Sequence, residues 1–170
     1  EGTSPGPYWK DKKFTTFGEA MKKLEDNGVS VNIASFLGAA TTRILEVGYK
    51  NRDATPSEMD RMRVHVENSM KDGAMGIGSS LIYAPGDYAS TEELIELSKV
   101  ASKYGGMYIS HLRSEGTNLL EALEELISIN GCDFFVLIGR VGKFTIDNVM
   151  RYVSNLKIDS EKFAGLILVR

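Results

Sequence analysis

The spacing of apolar positions changes period several times along this chain, and each change predicts an element. From Thr16 the pattern suits a helix that runs to Asn27 and stops at Gly28. The period then falls to two. Val29, Val31 and Ile33 alternate with Ser30 and Asn32 and lead through Ala34, Ser35 and Phe36 to Gly38, which predicts a first strand. In "TPSEMDRMRVHVENSMKDG", Thr55 is placed as an N-cap, Pro56 at the first helical position and Glu58 at the third, a capping box. Met59, Met62, Val66 and Met70 form the apolar side of that helix, and Gly73 closes it. "AMGIGSSLIY" predicts a second strand, whose glycines at 76 and 78 suggest a closely approaching backbone, and "APGDYAS" a loop.

Ser90 and Glu93 repeat the capping-box arrangement and open a helix through Leu94, Leu97, Ala101 and Tyr104 to Gly105. "GMYISHLR" follows as a third strand. Thr117 caps a helix carrying Leu119, Leu120, Leu123, Leu126 and Ile127, and "CDFFVLIGR" is a fourth strand. A helix from Thr145 to Leu156 and a last strand, "AGLILVR", complete the series. Strand and helix alternate with short connections, so the predicted class is α/β, parallel strands with crossover helices. At 170 residues the chain is long enough for one core, but a complete (β/α)8 barrel typically needs ~250 residues.

Composition narrows the function. Hydrophobic residues at 42% and charged residues at 25% fit a folded globular protein. With a formal charge of -3 and scattered lysines there is no footprint for nucleic acid or an anionic membrane, so a small molecule or a protein is the expected partner. No apolar stretch approaches the roughly 20 residues that span a bilayer, and the first residues lack the pattern of a signal peptide. A cytoplasmic location is expected, in keeping with Cys132 as the single cysteine.

In parallel α/β sheets, functional groups gather at the carboxyl ends of the strands. That rule selects residues 35–40, 79–83 and 111–115. His111 could bind zinc or relay protons there, or pack at the strand end with a local hydrogen bond; one histidine falls short of the three protein ligands usual in catalytic zinc sites. Arg113 shares its parity, so both side chains would leave one sheet face. It could hold a substrate carboxylate through paired hydrogen bonds, or form a salt bridge to Glu115 or another nearby acid. Tyr83 stands at a strand end and could point into a pocket, or be buried with its hydroxyl satisfied by a loop carbonyl. His65 is expected on the surface of its helix. "GRVGK" lacks phosphate-loop spacing, and "GAMGIG" runs into a strand where a dinucleotide fingerprint would open a helix.

Several long motifs carry a resemblance. "SSLIYAPGDYA", "TEELIELSKVA" and above all "YISHLRSEG" resemble the D-aminoacylase, or N-acyl-D-amino-acid deacylase, family of the amidohydrolase superfamily. "EGTSPGPYW", "VNIASFLGAATTR" and "TPSEMDRMR" look like successive family segments, so the likeness spans residues 1–129. It implies part of a metal-dependent TIM-like barrel that hydrolyses the amide of N-acyl-D-amino acids, with a zinc-activated water attacking the acyl carbonyl. It also implies a metal-binding role for His111 and substrate-binding positions for Arg113 and Tyr83 on the pocket rim.

The catalytic aspartate of that family has no counterpart here, so no catalytic residue is assigned. Its H-x-H pair and metal-binding cysteine would precede residue 1. After Ile129, "CDFFVLIGRVGK" stands where the family carries a histidine and a lysine, and Cys132 is not the metal-binding cysteine. Residues 130–170 are expected to form a strand–helix–strand tail of different character, packed on the same sheet or separate from it. The alternative to a hydrolase is a non-catalytic α/β module, a fragment or fusion that forms homo-oligomers through the strand edges of an incomplete barrel.

Overall fold

The computed structural model describes residues 15–130, together with 135–140, 151, 154 and 163–169. In chain order the elements are α1 (Phe17–Asn27), β1 (Leu37–Gly38), α2 (Ala39–Glu46), α3 (Pro56–Lys71), β2 (Gly76–Ser80), α4 (Thr91–Ser102), β3 (Met107–His111), α5 (Leu119–Asn130), β4 (Phe135–Arg140) and β5 (Phe163–Val169). Among the described residues, β1, β2 and β3 form one parallel sheet in that order, and β4 and β5 form a parallel pair. The α/β expectation therefore holds, with helices as crossovers between parallel strands. The predicted helix Thr145–Leu156 lies outside the described residues except at 151 and 154, which are helical.

Local chemistry explains the helix starts. The Oγ1 atoms of Thr16 and Thr55 accept from the backbone of Glu19 and Glu58, and each glutamate reaches back to the cap, so both helices open with capping boxes. Ser90 accepts from the Glu93 amide, 3.2 Å away, but the predicted second half of its box is missing. The Glu93 carboxylate turns instead to Arg43, because both groups are buried and each needs a charged partner there.

The sheet separates two environments. On one face Ile77 packs with Met62 and Val66 of α3 and with Leu94 and Leu97 of α4. These five side chains are essentially excluded from solvent, and burial of each contributes about 1.5–3 kcal/mol. Successive strand residues point to opposite faces, so Gly76, Gly78 and Ser80 line the other side of β2. Register places them beside Met107, Ile109 and His111. That face is open, with Met107 53% and Ile109 48% exposed. Gly76 is required at its place: its φ is 143°, and a Cβ would lie 1.9 Å from the Met107 carbonyl oxygen.

Two sequence expectations need correction. The predicted strand from Val29 to Gly38 shrinks to Leu37 and Gly38, and Val29, Val31 and Ile33 are exposed. The ladder with β2 starts only at Leu37 beside Ile77, preceded by a single bond from the Met75 amide to the Ser35 carbonyl. Alternation upstream therefore has no neighbouring strand among the described residues to make it a ladder. Directly after Gly38, α2 appears where no helix was predicted. Gly38 caps it without a side-chain hydrogen bond, and Thr42 bonds back to the Ala39 carbonyl at 2.8 Å, so the usual start signal is missing.

Candidate functional site

The carboxyl ends of β1, β2 and β3 converge on a groove of about 460 Å³, lined by Gly38, Ala40, Gly78, Ser79, Ser80, Ile109, Ser110 and His111. Glycines on two adjacent strands leave its floor bare, and on the opposite, helix-covered face of the same strands Ser79, Tyr108 and Ser110 form a chain of hydroxyls. Ser79 Oγ and Tyr108 Oη lie 2.6 Å apart, Ser79 donates to Ser110 Oγ at 2.8 Å, and Ser110 donates to the His111 carbonyl at 2.6 Å. This chain of hydroxyls crosses from β2 to β3 and ends on the backbone of the histidine. Burial, opposed by the hydrogen bonds with Ser79 and Ser110, pushes the Tyr108 hydroxyl above its ordinary pKa, so it stays protonated.

His111 ends β3 at the groove, as its strand-end position predicts. Its side chain is 68% exposed, and Nδ1 lies 3.6 Å from Glu115 Oε1. An exposed imidazole at a strand end suits one ligand of a metal set. A catalytic zinc takes three protein ligands, however, and no group of three His, Cys, Asp or Glu side chains able to hold an ion occurs among the described residues. The described residues therefore do not by themselves make a zinc site.

Arg113 departs from the face that its parity with His111 suggests. The strand stops at His111, so alternation no longer governs a residue two places on. Nε and Nη2 donate to the Glu125 carboxylate at 2.9 and 2.8 Å, Nη1 donates to the Asp87 carbonyl at 2.7 Å, and Nη2 to the Ala89 carbonyl at 2.9 Å. The salt bridge is made with Glu125 of α5, while Glu115 faces His111. Burial pushes the Glu125 carboxyl up, but hydrogen bonds from Arg113 and Thr91 outweigh it and leave the group below its ordinary range. Glu125 gives no signal in the sequence, where it is one of several acids in "EALEELISIN".

Tyr83 lies in the loop between β2 and α4, which includes a cis peptide bond at Ala84–Pro85 and a 3-10 turn at Gly86–Tyr88. Its ring is exposed, not buried, at 66%. Its amide donates to the Ser80 carbonyl and its own carbonyl accepts from Asp87. Neither Tyr83 nor Arg113 lines the groove; both stand on the loops beside it. His65 Nε2 lies 2.7 Å from Glu46 Oε1 and ties α3 to α2, away from the strand ends.

No family model matches the chain. Over 117 residues it is 36% identical to the D-aminoacylase of Alcaligenes xylosoxydans xylosoxydans, a match covering 69% of this chain and 24% of that protein. The chain is a partial match to the D-aminoacylases and N-acyl-D-amino-acid deacylases of the amidohydrolase superfamily. It spans about a quarter of the length of the curated relatives it matches. Solved structures agree. A D-aminoacylase studied for the functional role of its binuclear metal centre is 30% identical, with a TM-score of 0.68 over 76% of this chain and 28% of that one. The N-acyl-D-glutamate deacylase of Bordetella bronchiseptica, complexed with zinc and a phosphonate that mimics the tetrahedral intermediate, shares the fold at 23% identity, with a TM-score of 0.70 over 91% of this chain and 34% of that one. The α/β unit is thus a section of the D-aminoacylase fold. Among the described residues, no helix is long and apolar enough to cross a membrane.

Proposed function

We propose that this chain is the His111-bearing section of a metal-dependent N-acyl-D-amino-acid deacylase, working in the cytoplasm on a small N-acyl amino acid. The observation that carries the proposal is the placement of His111 at the mouth of a groove formed by successive parallel strand ends, in a section similar to metal-containing deacylases. His111 would hold zinc together with ligands from outside the described residues. Bound in such a site, zinc supplies a water acidic enough to ionise near neutral pH. The chain itself supplies the imidazole, the open glycine floor that leaves room for a substrate, and the rim on which Tyr83 and Arg113 stand.

The experiment is zinc per chain by elemental analysis, on the protein together with the segments that carry the remaining ligands and on its His111→Ala variant, with hydrolysis of N-acyl-D-amino acids assayed in parallel. Near-stoichiometric zinc that disappears in the variant is the expected result. Metal-free protein in both cases overturns it.

The exposed apolar face of β3 favours a second reading, in which the chain is a non-catalytic module associating through its open sheet. Sedimentation separates the two: a metal-free dimer that dissociates on Ile109→Glu supports association, and a monomer refutes it.

A further inference from the structure

We propose that Arg113 is a positioning residue, whose guanidinium latches the loop carrying Tyr83 to the strand end carrying His111, with Glu125 as its anchor. The geometry has three parts. First, β3 and the loop are joined directly where the Leu81 amide donates to the His111 carbonyl at 3.1 Å. Second, two residues past His111, the Arg113 guanidinium reaches the far end of the same loop through the carbonyls of Asp87 and Ala89. Third, the guanidinium is held from behind: Glu125 takes its Nε and Nη2 edge side-on and accepts Thr91 Oγ1 at 2.7 Å. A planar fork can satisfy a carboxylate along one edge and two carbonyls along the other, which a lysine ammonium cannot reproduce.

The loop is thereby gripped at Leu81 and again at Asp87 and Ala89, and Tyr83 lies between the two grips. Internal bonds complete the span, from the Asp87 amide to the Tyr83 carbonyl at 3.1 Å and from Ala89 to Gly86 at 3.2 Å. The exposed ring of Tyr83 is therefore mounted on a loop whose position relative to His111 is set by Arg113. Four donated bonds from one half-buried side chain are far more than a surface ion pair needs, and they join two loops and α5, with Thr91 of α4 reaching the same carboxylate. The latch is a property of the chain's own contacts. Its consequence for substrate binding rests on the deacylase proposal, whereas the loop geometry does not.

The test is amide hydrogen exchange, comparing peptides from the loop at 81–90 with peptides from α3. In Arg113→Lys and Arg113→Ala the loop is expected to exchange about tenfold faster or more, because two carbonyl anchors and the fork are lost, while α3 keeps its protection. Low-millimolar guanidinium chloride added to Arg113→Ala should restore the loop's protection by refilling the fork between Glu125 and the two carbonyls. A general loss of packing would not respond in that way. Should Arg113→Ala fail to fold, Arg113→Lys together with Glu125→Gln carries the comparison. Unchanged loop exchange in these variants, or equal acceleration in α3, overturns the latch. Zinc analysis of the same samples, together with the segments that carry the remaining ligands, keeps the two proposals apart: a metal-free protein with loop-specific acceleration sinks the deacylase and leaves the latch standing.

Discussion

Replacing Arg43 by alanine is expected to be among the most damaging single changes in this protein, and the structure sets both its size and its pH dependence. Arg43 is fully buried, and its Nη1 lies 2.5 Å from Oε2 of Glu93, itself 4% exposed. Nη2 donates to the carbonyls of Lys50 and Arg52, so one guanidinium ties α2 to the start of α4 and to the α2–α3 connection. Removing one partner of such a pair leaves an uncompensated buried charge, at a cost of about 3–5 kcal/mol. Burial pushes the Glu93 carboxyl above its ordinary value, and the Arg43 charge is the main influence pulling it back. In Arg43→Ala the folded-state pKa of Glu93 rises further. A carboxyl with a raised folded pKa costs nothing below its unfolded pKa and costs more as pH climbs through the interval between the two. The deficit relative to wild type should therefore be largest at neutral pH and shrink towards the ordinary carboxylate range near pH ~4.3. Urea titrations at pH 7 and at pH 5, followed by circular dichroism, measure it. The double variant Arg43→Met with Glu93→Leu should lie within about 1 kcal/mol of wild type, since matched apolar groups replace the pair without leaving a buried charge. A single-variant cost under about 1 kcal/mol, or a double variant as damaged as the two single changes added together, refutes the reasoning.

Other changes test other parts of the structure. Gly76→Ala forces a Cβ to within 1.9 Å of the Met107 carbonyl at a positive φ, so β2 and β3 must separate; a loss of about 3 kcal/mol or more is expected in thermal unfolding. Leu94→Ala empties a fully buried position between α4 and the sheet and should lower stability by about 2–5 kcal/mol in the same urea titration. The lowered folded pKa of Glu125 makes its contribution complete above the ordinary carboxylate range and lost as pH falls through that lowered value. Exchange protection of the loop at 81–90, corrected for intrinsic rates, should hold from pH 7 to about 5 and fail only in stronger acid; failure already near neutrality would contradict it.

What could be read from the sequence followed the range of the interactions involved. Thr55 and Glu58 announce α3 because their bonds span three residues, and Met62 and Val66 sit where a period of 3.6 puts them. Strand β2 was legible through its glycines at 76 and 78, and β3 as a short apolar run after Gly105 and Gly106. The segment at 29–36 alternates well but is not a strand, since a ladder also needs a neighbour and β2 begins only at Gly76. Glu93 matched a local capping box and was drawn away by Arg43, a residue fifty positions distant in the chain. The site divides in the same way. His111 was legible because a strand end in a parallel sheet is a functional location whatever surrounds it. The role of Arg113 was not, because it depends on Glu125, Asp87 and Ala89, contributed by two other stretches of chain. A metal centre is the extreme of this dependence, since a catalytic zinc needs three protein ligands brought together from the fold at once. One histidine at a strand end falls short of such a set, whatever its position predicts.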